Sequence, residues 1–293
     1  KNSENIPGGY SGKQLRILLN ESDYNKELLD FDIIKEYLGG VGYSAKILYD
    51  ELEKGIDPLS EKNKLLFSTG PLTNNISPGG GSIEICFKSP QTGGWGESRC
   101  GGDFGPRLKR AGYDFLIIEG KSKKPSYLKI NNDKIELVEA KNLLGKTTSE
   151  KEKFIRNQLE SPDDYSIMVI GPAGENKVPF ATITEGGRAA GRVGGGAVMG
   201  SKNLLGIAVR GTNKVKINDK KKYINKLREL NKIISNSEAA KGFRKHGTTG
   251  DMAECDELGD WPTKNWHSNS WGKGEKLYNS FFENNLETNA SCY

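Results

Sequence analysis

Apolar and polar positions change period repeatedly along this chain. Short apolar or alternating runs predict strands at 15–19, 64–69, 82–87, 115–119, 126–130, 134–138, 166–170, 179–184 and 204–209. Asn131, Asn132 and Asp133 sit between two of these runs and predict a hairpin turn. Helical spacing appears between other runs. Ile33, Ile34, Tyr37 and Leu38 form a stripe in 32–52, which Gly39, Gly40 and Gly42 interrupt. Glycine inside a helix costs about 1 kcal/mol, so this stretch reads as two helices or one with a tight break. Phe104 to Arg110 predicts a short helix stopped by Gly112. Ser149 and Glu152 stand at capping-box spacing before Phe154, Ile155 and Leu159, predicting a helix through Leu159.

After Gly211 the pattern turns helical. Asp219 caps a predicted helix to about Ser235 that carries Tyr223, Leu227, Leu230, Ile233 and Ile234. A stretch rich in Gly, Asn and Trp, 247–274, reads as loop. The expected organisation is α+β: a β-rich domain with outer helices over 1–213, then the start of a helical domain over 214–293. The boundary is expected near 212–218.

Composition narrows the function classes. The chain has 293 residues and a formal net charge of +5, from 43 basic and 38 acidic side chains. The basic excess is dispersed, and its densest run, Lys214 to Lys226, reads as the solvated start of a helix. Nucleic acid is therefore not an expected partner. No apolar run is long enough to span a bilayer. Cys86, Cys100, Cys255 and Cys292 show no Cys-x-x-Cys spacing, and reduced thiols are expected. Cys86 lies in an apolar run and reads as a buried small residue. His246 and His267 lack metal-ligand spacing and read as loop residues.

The candidate chemistry lies in the run from Arg188 to Leu205. It holds Arg188, Arg192, Lys202 and the glycines Gly191, Gly194, Gly195, Gly196 and Gly200. Glycine lets a backbone approach a ligand closely, and arginine suits bidentate phosphate contacts. The run reads as a nest for a phosphorylated cofactor. Residues 93–102 read as a second glycine-rich loop before a helix, a setting that favours an anion. No Gly-x-Gly-x-x-Gly stands between a first strand and helix, which excludes a dinucleotide-binding dehydrogenase.

Taken in order, several blocks resemble the tungsten-containing aldehyde ferredoxin oxidoreductases. They are Gly70-Pro-Leu-Thr73, Lys88-Ser-Pro-Gln-Thr-Gly93, Gly101-Gly-Asp-Phe-Gly105, Ala111-Gly-Tyr-Asp114, Ile170-Gly-Pro-Ala-Gly-Glu-Asn176 and the Arg188–Leu205 run. The resemblance extends from about Gly9 to Tyr293. It implies a β-rich base carrying two pterins around one tungsten, or molybdenum, with a magnesium ion at their phosphates. It also implies a [4Fe–4S] cluster, an aldehyde substrate, a ferredoxin-like electron acceptor and an anaerobic cytoplasm.

The resemblance assigns residues too. Arg188 and Ala189 match positions that touch the phosphates, with Gly191 and Arg192 beside them. Arg192 either shares that contact or only clamps the loop. Arg99, Cys100, Gly101 and Gly102 fall in the second glycine-rich segment. Well-known relatives carry Asn at the position of Arg99 and Arg at that of Ser82, so Arg99 is expected to supply the charge that Ser82 lacks. The alternative is a surface pair with Glu97 or Asp103. Cys100 is either close to the cluster or simply small enough to fit. Cys292 matches the first cysteine of the cluster motif, or is a cysteine without a role. One thiolate cannot hold a four-iron cluster, so the rest of the polypeptide or a second subunit is expected to complete the site. Family acid–base residues match nothing before Tyr293, so no catalytic residue is assigned. Trp261, Trp266 and Trp271 are expected to pack the helical domain rather than line a pocket. Two other readings stay open: a benzoyl-CoA-reductase-like catalytic subunit, and a non-catalytic binding or assembly module.

Overall fold

The computed structural model describes residues 6–73 and 77–285. Among these the chain divides into two compact units, one ending at Asn218 and one starting at Asp219.

The first unit holds two six-stranded sheets. The first sheet comprises β1 (Lys13–Leu18), β2 (Asp23–Leu28), β3 (Leu65–Ser68), β4 (Ser82–Lys88), β5 (Trp95–Gly101) and β6 (Phe115–Glu119). Their spatial order is β2-β1-β6-β3-β4-β5. The second sheet comprises β7 (Ser126–Asn131), β8 (Lys134–Glu139), β9 (Ser166–Ile170), β10 (Ile183–Glu185), β11 (Arg188–Ala190) and β12 (Leu204–Arg210), ordered β11-β10-β9-β12-β7-β8. β1 and β6 pair in parallel, as do β7 and β12; the other neighbours are antiparallel. With the helices below, this is the α+β, β-rich arrangement that the periodicity predicts.

Burial follows the strand period of two. On the first sheet Ile83, Ile85 and Phe87 face the large core shared with the second sheet. Leu66, Cys86, Phe115 and Ile117 face the opposite way, against Ile34 of α1 (Phe31–Tyr37) and Tyr43, Ile47 and Leu48 of α2 (Gly40–Glu51). Tyr43 stacks on Phe115 with ring centroids 3.9 Å apart. Two further helices, α3 (Phe104–Arg110) and α6 (Gly195–Ser201), contact strands of both sheets. Between them in sequence come α4 (Thr148–Asn157) and α5 (Pro172–Glu175).

Several expectations need correction. The capping box is Thr147 with Glu150, two residues before the predicted pair; Thr147 Oγ1 accepts from the Glu150 amide at 3.3 Å. The segment 93–102 is mostly strand β5, because cross-strand pairing with β4 overrides its glycines. The strand predicted over 179–184 is only β10, starting at Ile183. The hairpin strand β2 escaped notice because its edge position leaves a largely polar sequence.

The glycine run is the largest revision. Gly195 to Ser201 form the fully buried helix α6. A Cβ on Gly194 would overlap the Pro179 carbonyl, on Gly196 that of Thr182, and on Gly200 that of Gly174; on Gly195 it would press into the Phe87 ring. These glycines have a packing reason. A Cβ on Gly191 would meet nothing within 4 Å. Lys202 is also taken: it is buried, and its Nζ donates to the carbonyls of Asn63, Gly120 (3.1 Å) and Glu61 (3.3 Å). Burial pushes its ammonium down to about 8.

In the second unit α7 spans Lys220–Asn236, and Asp219 accepts from the Lys222 amide at 2.8 Å, as its sequence predicts. α8 (Glu238–His246) and α9 (Met252–Glu257) follow, so His246 ends a helix and the predicted 247–274 loop is partly helical. Trp261 packs against Gly274, but Trp266 and Trp271 are exposed. No helix among the described residues is long and apolar enough to cross a membrane.

Candidate functional site

The two sheets meet at their edges. β5 is the last strand of the first sheet, β11 is the first of the second, and the two pack together. This contact brings Arg99–Gly102 to Arg188–Arg192. The Arg192 amide donates to Ser98 Oγ at 3.1 Å. Its side chain is exposed, so the loop-clamping role assigned to residue 192 falls to its backbone.

Strand alternation then separates neighbours in sequence. Cys100 is 1% exposed and belongs to the inter-sheet core, where its thiol donates to the Gly101 carbonyl. Burial, then the nearby Glu185 carboxylate, pushes the thiol up to about 12; Arg188 opposes this. Arg99 points to the other side of β5, where among the described residues it pairs with Glu84 of β4. Ser82 sits diagonally beside it on the same face.

Arg99, Ser82 and Glu84 line a cavity of about 230 Å³ at the start of α2, together with Leu38–Val41, Ser68, Gly70, Pro71 and Thr73. Its construction is unusual. Leu38 has φ 60° and ψ −55°, and the Gly39 amide donates to the Tyr37 carbonyl at 2.7 Å. This is a γ-turn of the strained hand. Gly39 caps α2 with φ 151° and no side-chain hydrogen bond. The Gly40 amide donates to the Thr69 carbonyl at 3.0 Å, and among the described residues no side chain caps the remaining first-turn amides of this twelve-residue helix.

A buried cation fixes both walls. Lys109 of α3 is 1% exposed. Its Nζ donates to the Gly70 carbonyl and to that of Gly9 (2.7 Å), and lies 3.5 Å from Asp114. Asp114 in turn accepts from the Gly12 amide at 2.7 Å and from Ser11 at 2.9 Å. Tyr10 in the same segment donates to the Leu38 carbonyl at 2.7 Å. Burial pushes the Asp114 carboxyl up and the Lys109 ammonium down. Sequence reading passed over this network, although Ala111-Gly-Tyr-Asp114 was singled out as a motif.

Gly102 and Arg188 line a second cavity, of about 410 Å³, with Glu185 at its base. Glu185 pairs with Arg188 across the β10–β11 hairpin. One of its carboxylate oxygens accepts from the Asp103 amide (2.9 Å), the Phe104 amide (3.0 Å) and Ser166 Oγ (2.5 Å). Gly102 has φ 131°, and a Cβ there would lie 2.5 Å from the other oxygen. Gly102 is thus required by the approach of Glu185.

The donor set fits some implied groups and not others. Arg99, Arg188 and the start of α2, which no side chain among the described residues caps, suit phosphate oxygens. An iron–sulfur cluster does not fit the described residues. Among them no three His, Cys, Asp or Glu side chains group as metal ligands. Cys86 and Cys100 belong to different cores, and burial holds both thiols up at about 12. Cys292 lies outside the described residues. At pH 8 a thiol with pKa about 12 is ionised in about one molecule in ten thousand. Iodoacetamide on the native protein is accordingly expected to modify the half-buried Cys255 and spare Cys86 and Cys100. Rapid labelling of Cys100, read by peptide mass spectrometry, would contradict the burial described.

Residues 14–211 match the model for "Aldehyde ferredoxin oxidoreductase, N-terminal domain". The chain is 42% identical over 262 residues to the tungsten-containing aldehyde ferredoxin oxidoreductase of Pyrococcus furiosus, covering 89% of this chain and 43% of that protein. It is 36% identical to the WOR-like subunit of an aliphatic sulfonate oxidoreductase from the same organism, covering 94% and 46%. Among solved structures, it superposes on the active-site complex BamBC of benzoyl-coenzyme A reductase with 1,5-dienoyl-CoA. The TM-score is 0.78 at 36% identity, over 80% of this chain and 36% of that one. The chain belongs to the aldehyde ferredoxin oxidoreductase family. It spans less than half the length of these relatives.

Proposed function

We propose that this chain is the cofactor-bearing base of a tungsten, or molybdenum, bis-pterin oxidoreductase that interconverts aldehydes and carboxylic acids. The observation that carries this is the meeting of β5 and β11, which sets the Arg99–Gly102 segment beside the Arg188–Arg192 segment, with the two arginine side chains lining separate cavities. In this reading Arg188 and the Ala189 carbonyl hold pterin phosphates. Gly191 and the exposed Arg192 border them, while Gly101 and Gly102 shape the opposing turn. Arg99 contributes charge where relatives use other residues, and so alters or replaces the magnesium site. When bound, the metal–pterin group supplies two-electron exchange with the substrate. The [4Fe–4S] cluster, with Cys292 as one ligand, and the ferredoxin-like acceptor require residues that the described chain does not provide. The same holds for catalytic acid–base groups.

A second reading, a subunit acting on an aromatic or dienoyl thioester, is favoured by the 0.78 TM-score to the benzoyl-coenzyme A reductase complex. The base alone does not separate the two, because both rest on one scaffold. Arg188→Gln tests what they share. Loss of a charge-assisted phosphate contact is worth about 1.5–3 kcal/mol, so metal content of the natively purified full-length protein should fall at least about tenfold. Circular dichroism should stay unchanged. Full tungsten or molybdenum occupancy in the variant, by elemental mass spectrometry, would remove Arg188 from the site.

A further inference from the structure

One group in the α2 cavity has no role in this account. Glu84 is 8% exposed. One of its carboxylate oxygens pairs with Arg99 Nε, and the other has no hydrogen-bond partner. A buried acceptor left unpaired is unfavourable, because it has lost its water without gaining a donor. The Arg99 side chain, by contrast, is 59% exposed. A carboxylate here repels any anion that Arg99 and the start of α2 attract.

We propose that Glu84 is a built-in competitor of the ligand: it neutralises Arg99 in the empty cavity and takes up a proton when a tetrahedral dianion claims the guanidinium. The idea rests on the phosphate reading of this cavity. The exchange balances simply. Arg99 turns from Glu84 to the dianion, one solvent proton adds to Glu84, and the dianion keeps its charge. Glu84 Oε2, which has no partner in the ion-paired state, becomes the natural seat of that proton.

The surroundings allow this. Among the described residues, the ionisable neighbours on β5 are Arg99, which makes a further contact besides Glu84, and Glu97. On β4 the neighbour is the Cys86 thiol. α2 and β3 present the Ser44 and Ser68 hydroxyls, which bond each other. The loop Gly70–Thr73 carries no ionisable side chain. Burial already pushes the Glu84 carboxyl up, with Arg99 opposing. A bound dianion disfavours the carboxylate further and raises its pKa again. Binding therefore takes up a proton and tightens as pH falls, by about tenfold for each unit that binding adds.

Sulfate is the probe, because it stays a dianion between about pH 5 and 8. Calorimetric titration of the chain at both ends of that range gives its affinity. Wild type should bind about tenfold tighter at the acid end. Glu84→Gln should bind about tenfold tighter than wild type at the alkaline end and lose the pH dependence. Glu84→Gln binding no tighter than wild type there, or a flat wild-type profile, overturns the proposal. Arg99→Gln separates the two levels. If it abolishes sulfate binding while Glu84→Gln fails to tighten it, Glu84 merely positions Arg99 and the phosphate reading survives. If Arg99→Gln binds like wild type, or wild type binds no sulfate, the phosphate reading falls and takes this proposal with it. Should Glu84→Gln not fold, binding heats of wild type in buffers of different ionisation enthalpy decide. Uptake of about half a proton per sulfate is expected between the carboxyl's free and bound midpoints, as a tenfold linkage requires, and none overturns the idea.

Discussion

Lys109→Met is expected to lower stability by about 3–5 kcal/mol, as breaking a buried ion pair by removing one partner does. The variant strands Asp114, which is fully buried, and removes the donor to the Gly9 and Gly70 carbonyls. Asp114 keeps its amide donors from Ser11 and Gly12, so the loss stops short of a bare buried charge. Lys109→Met with Asp114→Asn should therefore recover part of the loss, since both charges are gone and an amide oxygen can still accept. Urea unfolding of the two variants gives the comparison. The effect should reach the cavity, because Lys109 holds Gly70, and the adjoining segment holds Leu38 through Tyr10. A single variant within about 1 kcal/mol of wild type would mean that this network does not carry the loop.

Gly200→Ala is expected to prevent stable folding, or to cost at least about 3 kcal/mol, at the top of the range for overpacked cores. Its Cβ would overlap the Gly174 backbone, and backbone on both sides leaves no flexible side chain to give way. Gly191→Ala, nine residues earlier in the same run, should change stability by less than about 1 kcal/mol, since a Cβ there meets open space. Thermal unfolding reads both. Equal tolerance at the two positions would refute the packing account of this run.

That contrast shows where reading the chain went astray. Glycine abundance signals close approach, but not what approaches. In the Arg188–Leu205 run the close partners are mostly this protein's own carbonyls. Lys202 in the same run is likewise engaged by the protein itself, with three backbone carbonyls around its ammonium. Arg99 was read as supplying the charge that Ser82 lacks, and the two lie on one face of the β4–β5 pair. The partner Glu84 was invisible because it lies fifteen positions earlier and meets Arg99 only through the β4–β5 register.

Much of the fold was written in local patterns. Apolar periodicity placed most strands, the Asp219 cap fixed the start of α7, and the order of short motifs marked the family. Those features depend on neighbours within a few residues, where sterics and hydrogen bonding act on the chain directly. The tertiary structure alone decided which edge strands meet. It put Arg99 and Cys100 on opposite sides of β5. It also buried Lys109 beneath Gly70 and left Glu84 with an unpaired oxygen at the start of α2. Such outcomes depend on strand register and long-range packing, in which a shift of one residue exchanges the two faces of a strand.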